Sequence, residues 1–98
     1  MNTAGQELTR LEKRLRQLGT DIDRLAAGTH EAEPGDEATR QRREQVDFTR
    51  QKHAVVRSRL DAFKTANGQK WDNFRPGIET AWHDLENALR VLKEARHQ

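Results

Sequence analysis

Apolar positions fall along this chain in three seams, each with the alternating three-and-four spacing of a helix that buries one stripe. The first seam is Leu8, Leu11, Leu15, Leu18, Ile22 and Leu25. It predicts a helix over about residues 4–27. The second is Thr39, Arg42, Val46, Thr49, His53, Val56, Leu60 and Phe63, polar in its first half and apolar in its second. It predicts a helix over about 36–67, with Phe48, Val55 and Ala62 forming an extra stripe seven residues apart. The third is Trp71, Phe74, Ile78, Ala81, Leu85, Ala88, Leu92 and Ala95, widened by Trp82 and Leu89. It predicts a helix over about 69–96 that contacts two neighbours.

Breaks in the pattern set the boundaries. Residues 28–35 hold two glycines and a proline, so this stretch reads as a loop. Asp36 reads as a helix N-cap, followed by Glu37 at the positive end of the helix dipole. Asn67-Gly68 is a stop signal. Pro76 lies inside the third pattern. There it either kinks one helix or marks the start of a second, and the kinked helix is the preferred reading.

The fold class that follows is all-α, a single domain over 1–98. It is an antiparallel three-helix bundle, or a coiled-coil hairpin with a shorter N-terminal helix. The short turn between the second and third helices makes them antiparallel neighbours. That register sets Phe63 against Phe74, Leu60 against Ile78, Val56 against Ala81 and Thr49 against Ala88. Arg50, Arg57 and Lys64 recur every seven residues, as do Asp72, Glu79 and Glu86, and the same register aligns the two stripes. Folding the first helix back over its loop places Leu25 near Thr39 and Leu8 near Val56. On that reading it stops short of the turn. Leu60, Phe63, Trp71, Phe74 and Ile78 would then form an uncovered apolar tip, and with Trp82 they are the candidate interface.

Composition agrees with economical use of apolar residues: 33% are hydrophobic and 35% charged. Net charge is only +2, but residues 38–70 carry nine bases and three acids. This makes nucleic-acid binding through Arg43, Arg50 and Arg57 an alternative, by release of counterions from phosphates. Against it, no aromatic rings are interleaved for base stacking. The absence of cysteine excludes disulfides and Cys-based zinc sites and agrees with a cytoplasmic location. No stretch is long and apolar enough for a signal peptide or a membrane span. Peripheral lipid binding, with Trp71, Phe74 and Trp82 inserting, is a further alternative.

Candidate chemistry is sparse. No two of His30, His53, His83 and His97 have metal-binding helical spacing. The only serine is Ser58, between Arg57 and Arg59, and no glycine-rich phosphate loop is present. The sequence therefore predicts no catalytic, metal or cofactor site. It predicts a non-enzymatic interaction or scaffold protein, whose partner is a second copy or another helical protein.

The last 40 or so residues resemble a widespread group of small bacterial coiled-coil proteins, some of them labelled stress-response proteins. Trp71, Gly77, Ala81, Trp82 and Leu85 carry the resemblance. Pro76 departs from it, since alanine is more usual there. The resemblance implies a bacterial, cytoplasmic, non-enzymatic helical protein and supplies no ligand residues.

Overall fold

The structure is a computed structural model and describes residues 3–29, 37–66 and 70–95. The described chain forms three helices: α1 (Thr3–Thr29), α2 (Glu37–Thr65) and α3 (Trp71–Ala95). The protein is an all-α helical bundle. Asp36, the Asn67-Gly68 turn, His30, His97 and most of the 28–35 segment lie outside the described residues. Gly28 itself belongs to α1, which runs one residue past it.

The order is up-down-up. Phe63, near the end of α2, packs on Trp71 and Phe74 at the start of α3, and Thr49 of α2 approaches the Ala88 carbonyl of α3. Both pairs belong to one antiparallel register. On the other side, the Leu15 carbonyl of α1 meets His53 of α2, and the Leu25 carbonyl meets Arg42. α1 is therefore antiparallel to α2 and parallel to α3.

One core cluster draws on all three helices. It includes Leu15, Leu18, Ile22 and Leu25 from α1, and Val46, Val56, Leu60 and Phe63 from α2. α3 adds Ile78, Ala81, Leu85, Leu89 and Leu92. The polar half of the α2 seam is buried as well, at Thr39 and Thr49. The Thr49 hydroxyl donates to the Gln45 carbonyl one turn back, at 2.7 Å. The Gln45 side-chain amide donates to the Ala88 carbonyl at 3.1 Å, so this polar layer carries its own hydrogen bonds.

α3 runs from Trp71 to Ala95 with Pro76 inside it. Its first turn is closed by Lys70, whose carbonyl accepts from the amides of Asn73 (2.9 Å) and Phe74 (3.2 Å). Lys70 has φ 61°, the left-handed conformation that turns the chain into the helix. Pro76 sits in the second turn. Its ring removes one amide donor, and the helix carries on past it.

Two expectations are corrected by the placement of α1. Among the described residues it spans 27, fewer than the 29 of α2 but not fewer than the 25 of α3. It also lies about one helical turn, roughly 6 Å, further toward the α2–α3 turn than expected. The Leu25 carbonyl meets Arg42 rather than Thr39, the Leu15 carbonyl meets His53, and Glu12 reaches Lys64 at 3.9 Å. The physical reason is that the intervening segment does not fix the register. Core filling does, and the apolar half of α2 lies toward Phe63. The tip is therefore covered: Leu60, Phe63 and Ile78 are buried, while Trp71, Phe74 and Trp82 are half-buried.

Gly77 gives a local test of packing. A Cβ built there would meet the Arg59 Nη1 at 3.1 Å, which is the far end of a flexible, exposed side chain. Gly77→Ala is expected to raise stability by about 0.5–1 kcal/mol through helix propensity, as read from the urea midpoint. An unchanged or lower midpoint would mean that the Arg59 guanidinium does not yield. At Gly19 the same construction meets the His53 ring at 3.1 Å. That ring is held by its Nε2 hydrogen bond to the Leu15 carbonyl at 2.9 Å, so the gain should not appear there.

Candidate functional site

Heptad letters explain where the charged stripes go. If Phe63 and Phe74 are d positions, Arg50, Arg57 and Lys64 of α2 fall at e, and so do Arg75, Trp82 and Leu89 of α3. In an antiparallel pair the e positions of both helices line the same side, and α1 packs on that side. Arg50 accordingly pairs with Asp23 of α1 at 3.4 Å, and Lys64 with Glu12 at 3.9 Å. The expected pairing of Arg50, Arg57 and Lys64 with Glu86, Glu79 and Asp72 does not form. The three acids fall at b, one position outside the flank that Trp82 and Leu89 occupy. Glu79 instead accepts from the Arg75 Nε at 2.7 Å within α3.

The α2 guanidiniums proposed for phosphate are thus spread along the α1–α2 side. Arg43 and Arg57 are exposed, and Arg50 is engaged by Asp23. Arg57 and Lys64 border a groove of about 430 Å³ that also contains Glu12, Asp61 and His53. Two carboxylates interrupt this basic stripe, which weakens its field for a polyanion.

A second groove, of about 480 Å³, opens between the first half of α1 and the Trp71-to-Glu86 stretch of α3. Its apolar wall is Trp71, Ile78 and Trp82 of α3 with Leu11 of α1. Glu7, Glu79 and Glu86 rim it, beside Arg75 and His83. Three carboxylates face one guanidinium, so the rim is acidic. The Arg75 pKa is raised, first by the Glu79 hydrogen bond and charge, then by Asp72 and Glu7. Behind the wall, the Phe63 ring lies 4.8 Å from Trp71 and 5.5 Å from Phe74, each tilted by 56°. Such tilted contacts are favourable for aromatic quadrupoles and hold the tryptophan in place.

Of the six candidate interface residues, three line this groove: Trp71, Ile78 and Trp82. Phe63 is buried behind it, against Trp71, while Leu60 is buried and lines the α1–α2 groove instead. Phe74 is half-buried and packs on Phe63. Sequence reasoning missed Glu7 and Leu11, because it placed α1 too far from the tip. Leu8 and Leu11 stood in the first seam, and in the structure both pack, partly buried, against the core cluster that contains Phe63 and Ile78. Among the described residues, no group of three His, Asp or Glu side chains is placed to hold a metal ion, and no helix is long and apolar enough to cross a membrane.

No family model matches this chain, and neither a curated protein nor a solved structure matches it.

Proposed function

We propose that this chain is a non-enzymatic helical assembly protein that associates with further copies of itself through the groove between α1 and α3. The observation that carries this reading is the groove's make-up. Two half-buried tryptophans and a half-buried leucine, floored by the buried Ile78, are presented inside an acidic rim. Large aromatic residues in a concave, polar-edged setting are what protein interfaces concentrate at their centres. The resemblance to small bacterial coiled-coil proteins, some labelled stress-response proteins, fits a structural role.

Sedimentation or light scattering over a range of concentrations tests the proposal. The expected result is a mass that rises above the 11.4 kDa of one chain as concentration increases. Glu79→Lys with Glu86→Lys reverses two rim charges at exposed positions and should suppress that rise while helicity is kept. A mass fixed at one chain throughout would defeat self-association.

A further inference from the structure

The groove needs a counterpart, and the opposite side of the molecule offers one. Phe48 and Val55 are the large apolar side chains most exposed on α2, at 46% and 42%. Both fall at heptad position c, as does Ala62, so the three lie in one row along the outer face. Lys52 and Arg59, at g, run beside that row with the same period of seven. The Lys52 ammonium already lies 5.1 Å from the Phe48 ring centroid, so cation and aromatic are presented together.

Resting on the self-association proposed above, we infer that the groove of one copy receives the Phe48–Val55 face of α2 from the next copy. Charge and period both favour this occupant. Glu79 and Glu86 of the groove are seven residues apart, as are Lys52 and Arg59 of the stripe. A stripe helix laid along the groove can therefore set both bases beside both acids. The lengths agree too. Trp71 to Glu86 on α3 and Phe48 to Ala62 on α2 each span about 21–23 Å at the helical rise.

The geometry decides the kind of assembly. α1 and the groove lie on the e side of the α2–α3 pair. The stripe lies on the g side, next to Val91 of α3, which is also exposed. Groove and stripe share no residue and face away from each other. Contact between them is head-to-tail, and each added copy carries a fresh groove or a fresh stripe at its end. The product is an open chain of copies or a ring, not a two-fold dimer.

Two double variants, each damaged on one surface only, test this. Glu79→Lys with Glu86→Lys spoils the groove, and Phe48→Glu with Val55→Glu spoils the stripe. All four positions are exposed, and far-UV circular dichroism checks that the helices remain. Each variant alone should sediment as a single chain while the wild type grows with concentration. An equimolar mixture should give a two-chain species and nothing larger, because one intact groove then meets one intact stripe. Added salt should weaken it. If the stripe variant associates as well as the wild type, or the mixture stays at one chain, the groove meets something other than α2 and this inference falls. Self-association would then survive in the first case. A wild type that never exceeds one chain removes both.

Discussion

Phe63→Ala is expected to cost about 3–5 kcal/mol of stability, the usual range for an aromatic ring removed from a close-packed interior. Phe63 is fully buried, and its ring touches both Trp71 and Phe74. Those two side chains are half-buried and stand at the first turn of α3, where the helix has only begun. They cannot swing inward to fill the gap without giving up their own packing. Against a typical domain stability of about 5–15 kcal/mol, such a loss leaves a marginal fold. Urea unfolding followed by circular dichroism and tryptophan emission measures it. A loss below about 1 kcal/mol would show that Trp71 and Phe74 close over the vacancy. The same variant also bears on assembly, since Trp71 is both the lid of this cluster and a wall of the groove.

Leu85→Ala is expected to cost about 2–5 kcal/mol. Leu85 is fully buried near the middle of α3, in the cluster shared with α1 and α2. Alanine suits a helix well, so propensity does not oppose the change, and the cost reports lost packing. Val91 provides a control on the same helix. It is 44% exposed, and Val91→Ala should change stability by no more than about 0.5 kcal/mol. Equal effects at the two positions would mean that α3 is rotated about its axis relative to this structure. That outcome would also undo the assignment of Val91 to the stripe side.

Much of the architecture was legible because helix seams are periodic. The α2–α3 register could be read from residues such as Phe63, Phe74, Thr49 and Ala88, because a short turn leaves two antiparallel seams few ways to meet. The position of α1 could not be read in the same way. No tight turn signal sets its register against α2 as Asn67-Gly68 does for α3, so the choice falls to core packing, which spacing does not encode. The charge stripes misled for a related reason. Seven-residue recurrence holds equally for e and for b, and only the side on which α1 lies tells which flank faces a partner. Trp82 and Leu89 carried that information. In the sequence they widen the α3 face, and in the structure that widened flank is the side on which α1 packs. The groove was half legible. Its α3 wall stood in the sequence, while Glu7 and Leu11 became part of it only once α1 was placed.

The two ends of the bundle are unequal, and this shapes how it comes apart. At one end are Phe63, Trp71 and Phe74. Phe63 and Trp71 meet across only eight residues of chain, so their contact closes with little loss of backbone entropy. At the other end, the core is built with Thr39 and with Arg42, whose Nη2 donates to the Leu25 carbonyl at 3.5 Å and whose buried Nε has no hydrogen-bond partner. Local opening free energies therefore rise along the rod from the polar end to the aromatic one. The bundle is expected to unzip from the end of α1 and the start of α2, with the aromatic end last to let go, an order that residue-by-residue hydrogen exchange would read. Refolding is expected to take the reverse order, with the short-range α2–α3 contacts formed first and α1 added to them.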